Sequence, residues 1–321
     1  MNKVVIITTG GTIAMKRGPM VGGAVPTLKG EDFMALLPHS GIGLAFEEFA
    51  NLPSSHLTPA QGLDLGRRVE AALGAPDVDG VVVTHGTDTL EETAYLLDLT
   101  ISSAKPVVVT GSMRTATALG YDGMLNLAAA IRVAAAPEAR GLGALVVFNE
   151  RIFAACEAQK VHSQRADAFD APGSGALGWL DAEHVWLHHR PLRRVYIPCS
   201  RLEELVDLLT IGQGASERQL RHSIDDGVAG IVIEAFGSGR VPPWWLPLIQ
   251  EALAKRIAVV LATRCRAGTL YDEYGYVGAY HDLRRLGVLF AHNLSGVKAR
   301  IKLMVALGAA RKPDELRGWF A

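Results

Sequence analysis

Lys3-Val4-Val5-Ile6-Ile7-Thr8-Thr9-Gly10-Gly11-Thr12 begins as an apolar, β-branched run and ends on a pair of glycines. A run apolar at nearly every position suits a strand buried on both faces of a parallel sheet. The glycines behind it let the backbone turn tightly and leave N–H groups open to a ligand. The same order of strand and glycine turn returns at Gly80–Thr84 before His85-Gly86, and at Pro106–Thr110 before Gly111. Ala144–Asn149, Val195–Pro198, Gly230–Glu234 and Ala258–Ala262 read as further strands.

Helical patterns lie between these runs. Leu63, Leu65, Val69 and Leu73 recur near helical spacing in Pro59–Leu73. Asp122 to Ala135 is rich in Ala and Leu, with Asp122 placed to cap it. In Arg201–Leu209, Leu202, Leu205, Leu208 and Leu209 make one stripe with acids opposite. Alternating strands and helices predict an α/β fold with right-handed crossovers. Asp170-Ala171-Pro172-Gly173-Ser174-Gly175 is loop chemistry, and a new strand–helix series starts near Val195. The expected organisation is a larger N-terminal, mostly parallel-sheet catalytic domain over 1–190. A linker over 191–212 and a smaller C-terminal α/β domain over 213–321 follow.

Composition bounds the function. The 321 residues are 49% hydrophobic and 20% charged, a globular balance with material for two domains at roughly 150 residues each. A formal net charge of -1 calls for neither nucleic acid nor an anionic membrane as partner. The pairs Arg67-Arg68, Arg193-Arg194 and Arg284-Arg285 read as solvated helix faces. Cys156, Cys199 and Cys265 fit no CxxC pattern, and their odd number cannot fully pair. Reduced thiols in a cytoplasmic protein are the simplest expectation. The opening strand leaves no basic segment and apolar run ahead of a cleavage site, and no uncharged apolar run approaches the ~20 residues of a membrane span.

Chemistry gathers at the strand ends. In Thr8-Thr9-Gly10-Gly11-Thr12-Ile13-Ala14, the Thr12 hydroxyl falls just past the first strand, where open α/β sheets bind ligands. Alone, the motif is equally a glycine turn with a capping threonine. It is neither GxGxxG nor GxxxxGK[ST], which argues against a phosphate cradle. Val83-Thr84-His85-Gly86-Thr87-Asp88-Thr89-Leu90-Glu91-Glu92-Thr93 places more hydroxyls and carboxylates at a second strand end. Thr89 and Glu92 fit a capping box, which leaves Thr87 and Asp88 redundant as caps. His85 reads as structural. Two Thr hydroxyls and an Asp in one crevice suit a nucleophile whose proton a neighbour removes. The backbone N–H groups of the glycine turns would hold an oxyanion. Gly111-Ser112-Met113-Arg114 is a third strand-end turn, and Lys160 in Glu157-Ala158-Gln159-Lys160-Val161 is by itself a surface lysine. Trp244-Trp245 reads as packing under a loop or at an interface. His188-His189 lacks a third ligand at metal-like spacing, and Cys156 has no nearby His signature.

At these residues the chain resembles the bacterial-type L-asparaginase family, which includes the glutaminase-asparaginases. Thr9-Gly10-Gly11-Thr12-Ile13-Ala14 is similar to its first signature and His85-Gly86-Thr87-Asp88-Thr89-Leu90-Glu91-Glu92 to its second. Softer similarity runs through Val109–Arg114, Gly123–Leu127, Tyr271–Gly275 and Lys298–Arg300, so it covers essentially the whole chain. The resemblance implies Thr12 as nucleophile and Thr87, Asp88 and Lys160 as a second catalytic group. It implies that Asp88 also holds the substrate's α-ammonium and Ser54 its α-carboxylate. Ser55 falls where many members have Gln. Gly11 and Gly86 belong to the same substrate-binding turns. No metal or cofactor is implied, and a homodimer or homotetramer with sites between paired subunits is.

Three places depart from the family. The loop Met15 to Gly30, which normally supplies a tyrosine packed on the nucleophile, has no Tyr here, although its glycines suit a mobile lid. Gly237-Ser238-Gly239-Arg240 stands where many members carry asparagines that reach a neighbouring site. Glu273 is the candidate for the glutamate that a partner subunit contributes. The resulting expectation is an L-asparagine amidohydrolase releasing L-aspartate and ammonia through an acyl-threonine. A glutaminase-asparaginase, or an amidase for another small amide, is the alternative. A non-catalytic α/β protein that binds a small ligand is the rival of a different class.

Overall fold

The structure is a computed structural model describing residues 3–17, 24–26, 41–191 and 194–320. It divides into two units, Met1–Tyr196 and Ile197–Ala321. In chain order the first unit contains β1 (Lys3–Gly10), β2 (Met15–Arg17), β3 (Ala24–Pro26), β4 (Gly43–Leu52), α1 (Pro59–Gly74), β5 (Gly80–Thr84) and α2 (Leu90–Thr100). Then come β6 (Val107–Thr110), α3 (Gly123–Ala135), β7 (Ala144–Phe148), β8 (Arg151–Ala154), β9 (Gln159–Lys160), β10 (Phe169–Asp170), β11 (Gly178–Leu180) and β12 (Val185–Leu187). An 8-stranded sheet runs in the order β12-β11-β8-β7-β6-β5-β1-β4. Strands β4, β1, β5, β6 and β7 are parallel, and β8, β11 and β12 add antiparallel pairings at the far side.

The apolar runs explain this sheet. Alternate residues of a strand point to opposite faces. Val4, Ile6, Val82, Val108, Leu145 and Val147 pack on one face with Leu127, Ala130 and Ile131 of α3. Ile7, Val81, Val83, Val109 and Val146 pack on the other with Leu65 and Val69 of α1 and Ala94 and Leu97 of α2. Two buried faces require apolar residues at every position. Helix α1 starts where the sequence marks it: Pro59 follows Thr58, whose hydroxyl accepts from the Gln61 N–H while the Gln61 side chain accepts from the Thr58 N–H.

After β1 the chain builds β4 on one side of it, then crosses to build β5 on the other. The order of strands therefore reverses at β1, and the crevice beyond its carboxyl end is a topological switch point.

The second unit contains β13 (Val206–Thr210), α4 (Arg218–Asp225), β14 (Gly230–Ala235), α5 (Leu246–Ala254), β15 (Ala258–Thr263), α6 (Tyr280–Leu286), β16 (Leu289–Phe290), α7 (Gly296–Ala309) and α8 (Pro313–Trp319). Its four strands form a parallel sheet in the order β13-β14-β15-β16. Ile231, Ile233 and Leu261 pack with Leu220, Ile249 and Leu283 in its core. Among the described residues no helix is long and apolar enough to cross a membrane.

Two expected elements differ. Of the helix read over Arg201–Leu209, residues 201–205 form no helix and Val206–Leu209 belong to strand β13, inside the stretch expected to be linker. Its Val206 and Leu209 are buried and paired along Gly230–Glu234, and this tertiary pairing overrides a leucine stripe whose Leu205 is 62% exposed. Val195–Pro198 forms no strand. Arg194 is also no solvated helix charge: its guanidinium donates to the Asp98 carboxylate and to the carbonyls of Asp98 and Ile101. Trp245 is buried and Trp244 is half exposed, and both indole N–H groups donate to the Ala215 carbonyl.

Candidate active site

Three parallel strands deliver their loops to the crevice beyond β1. The register pairs Thr8 with Thr84 across β1 and β5, and Gly10 with Leu52 across β1 and β4. The Thr9 hydroxyl donates to the Thr84 carbonyl at 2.9 Å. The Gly11 N–H donates to the Leu52 carbonyl at 3.0 Å, so that amide is not open to an oxyanion as the sequence suggested. Gly11 serves the crevice by its shape. At φ +80° it brings its bare Cα against the second loop, and a Cβ there would fall 2.4 Å from the Gly86 Cα and N. Gly11→Ala therefore meets both a forbidden φ and a backbone collision. The expected result is a loss of about 2 kcal/mol or more in urea unfolding. A stability within a few tenths of wild type would contradict the contact.

The second loop is anchored on its far side as well. The His85 N–H donates to the Thr110 carbonyl of β6 at 2.8 Å, and the Thr89 hydroxyl donates to the Ser54 carbonyl at 2.9 Å. The expected capping box is absent: the Thr89 side chain makes no cap bond on α2 because it is spent on Ser54. Ser54 is buried in a single 3-10 turn after β4, and a Cβ on Gly86 would lie 2.7 Å from its Oγ. The Ser54 hydroxyl thus faces the second loop, whereas neighbouring Ser55 is exposed.

Lys160 arrives from outside the main sheet. It sits on β9, paired through Phe169 with β10, and its N–H donates to the Glu91 carboxylate at 3.0 Å. Its ammonium donates to the Thr87 hydroxyl at 2.9 Å and to the Asp88 carboxylate at 2.7 Å. It is no loose surface lysine: its side chain is 15% exposed, and Asp88, at 71%, keeps its carboxylate open to a ligand. Thr87 is buried.

His85 is structural. Its Nδ1 bonds the Gly86 carbonyl at 2.8 Å and its Nε2 meets the Thr93 hydroxyl at 3.0 Å. The neutral ring satisfies both as Nδ1–H donor and Nε2 acceptor. Burial lowers its pKa from 6.5 to about 4. A pKa lowered in the folded state means that the unfolded chain takes the proton first. Stability from the neutral ring is complete above pH 6.5 and falls by about 3 kcal/mol as pH drops to 4. Urea titrations across that window should show this slope in wild type and a shallower one in His85→Gln. Equal slopes would refute it.

The turn carrying Thr12 spans Thr12–Ala14. It is held by the third loop: the Tyr121 hydroxyl donates to the Ile13 carbonyl at 2.7 Å, and the Ala116 N–H donates to the Met15 carbonyl at 2.9 Å. Asp122 makes no cap bond on α3. Its carboxylate instead accepts from the Ser112 hydroxyl and from the N–H groups of Met113 and Arg114, which fixes that loop. Of the Met15–Gly30 stretch, residues 18–23 and 27–30 lie outside the described residues, and the lid reading lies there with them. Ser238, Arg240 and Glu273 belong to the second unit, where Arg240 lies 4.6 Å over the Tyr274 ring and Glu273 accepts from the Tyr271 hydroxyl at 2.8 Å.

The family pattern described as "Asparaginase, N-terminal" matches residues 3–193, and "Glutaminase/Asparaginase C-terminal domain" matches residues 205–320. The chain belongs to the asparaginase family. Among its asparaginase relatives, the L-asparaginase of Bacillus licheniformis is 38% identical, with 97% of each chain covered. The probable L-asparaginase of Deinococcus radiodurans is 38% identical over 99% of this chain and 97% of its own length. The glutaminase-asparaginase of Pseudomonas fluorescens biotype A is 32% identical over 99% and 89%. The asparaginase fold is matched by the crystal structure of a probable cytoplasmic L-asparaginase from Campylobacter jejuni, at TM-score 0.88 and 31% identity, covering 100% of this chain and 99% of that one.

Proposed function

We propose that this asparaginase hydrolyses L-asparagine to L-aspartate and ammonia with Thr12 as nucleophile. The observation that supports this is the Lys160 ammonium between the Thr87 hydroxyl and the Asp88 carboxylate, on a loop whose Gly86 backbone touches Gly11, the residue before Thr12. Asp88 receives the substrate's α-ammonium and Ser54 its α-carboxylate, which turns the side-chain amide toward Thr12. The Thr12 oxygen bonds to the amide carbon, the C–N bond breaks, and the hydroxyl proton leaves with ammonia. Water then adds to the β-aspartyl ester and returns a proton to Thr12. Thr87 and Lys160 move protons between these groups.

The same reading puts the protein in the cytoplasm, as a homodimer or homotetramer. The test is ammonia release from L-asparagine and from L-glutamine by the purified wild type. Release from asparagine supports the reaction, and the glutamine rate separates a strict asparaginase from a glutaminase-asparaginase. A folded protein that releases ammonia from neither amide would overturn the proposal.

A further inference from the structure

We propose that Tyr121 is a positioning residue for the nucleophile: its hydroxyl, bonded to the Ile13 carbonyl, fixes the turn that aims Thr12. The inference rests on Thr12 being the nucleophile. The turn is short and follows two glycines in left-handed conformation, Gly10 at φ +101° and Gly11 at φ +80°. Glycine resists bending away from such a conformation less than any other residue. Inside the turn, the Ala14 N–H bonds the Gly11 carbonyl and the Met15 N–H bonds the Thr12 carbonyl. On one flank Gly11 is tied to Leu52 of β4. On the other, the Ile13 carbonyl takes the Tyr121 hydroxyl at 2.7 Å. Ile13 is fully buried, so water cannot take the place of that donor without opening the core.

The phenol is itself held in place. Its ring packs against the core that includes Ile13 and Ala14, and it lies across the first residue of α3. A Cβ on Gly123 would fall 2.4 Å from the Tyr121 hydroxyl and from its ring carbon Cζ, so the ring occupies the space that only glycine leaves. Next to it, Asp122 gathers Ser112, Met113 and Arg114 into one fixed loop. Burial, with the Asp122 carboxylate beside it, pushes the phenol above the ordinary tyrosine range, so it donates at every working pH. By contrast, Asp88 and Ser54, which would bind the substrate's backbone groups, sit on loops that Tyr121 does not hold. The hydroxyl should therefore act on the chemical step and spare binding.

The test compares Tyr121→Phe, Gly123→Ala, Thr12→Ala and wild type. Ammonia release gives kcat and KM for asparagine. Calorimetric titration with L-aspartate gives its Kd and the number of competent sites per chain, so that turnover is expressed per folded site. Tyr121→Phe deletes one oxygen and keeps the ring. Gly123→Ala leaves the hydroxyl but displaces it, and alanine suits a helix. Both should lower kcat per site by about 10- to 100-fold, the scale of a displaced reacting group. KM and the aspartate Kd should stay within about twofold, a negligible free-energy change. A purely structural role would lower the number of sites and leave kcat per site at the wild-type value, and that result overturns the proposal. If Thr12→Ala keeps wild-type turnover, the nucleophile reading itself fails, and the Tyr121 inference fails with it. An inactive Thr12→Ala beside an unchanged Tyr121→Phe sinks the Tyr121 inference alone.

Discussion

Thr12→Ala should be a folded protein that binds L-aspartate and turns over asparagine at least about 10³-fold more slowly than wild type, the scale of losing a covalent route. The fold cost is small because the side chain is half-buried and the turn around it is built from backbone bonds and the Tyr121 hydroxyl. The kinetic cost is large because the remaining groups offer water in place of a positioned oxygen. Binding should survive, since Asp88 and Ser54 stand on other loops. Ammonia release and aspartate titration on one preparation read both sides. Turnover within tenfold of wild type would remove Thr12 from the chemistry.

Lys160→Met should cost about 10²- to 10⁴-fold in kcat, the usual range for a positioned proton-transfer group. Stability should fall much less. Asp88 is largely exposed and regains water when its partner leaves, so the ion pair contributes about 1 kcal/mol or less. Methionine keeps much of the aliphatic stem. A drop in kcat with a nearly unchanged unfolding midpoint is therefore expected. Equal kcat would leave Lys160 a structural tie between β9 and the second loop.

The sheets were legible because a strand buried on both faces must be apolar along its centre, and β1, β5, β6, β7, β14 and β15 are, with polar residues such as Thr8, Thr84 and Glu234 only towards their ends. Strand β13 was not: Leu202, Leu205, Leu208 and Leu209 imitate a helix, and only pairing with Gly230–Glu234 selects the strand. Strand β4 escaped because, at the sheet edge, its residues are partly exposed and include Glu47 and Glu48. In the site, the two glycine turns were visible because φ above zero and close approach leave few residue types to choose from. Lys160 read alone as a surface lysine, since nothing local says that a distant ribbon carries it to Thr87; only the family resemblance marked it. Tyr121 gave no signal beyond its place before Asp122-Gly123. Asp122 and Thr89 looked like helix caps, but each spends its side chain on a neighbouring loop.

The pairing of Thr8 with Thr84 has a consequence for how such a protein can change length. The separation of the two threonine-bearing loops is a count of residues along adjacent strands, at roughly 3.3 Å each. One added residue within β1 or β5 would slide its loop by a full step and turn its inward side chains outward. At the entering ends the last tie is Asp79, whose N–H donates to the Lys3 carbonyl and whose carboxylate accepts from the Lys3 N–H. Length can therefore change in the exposed Pro76-Asp77 turn ahead of β5 far more readily than where β1 and β5 leave the sheet.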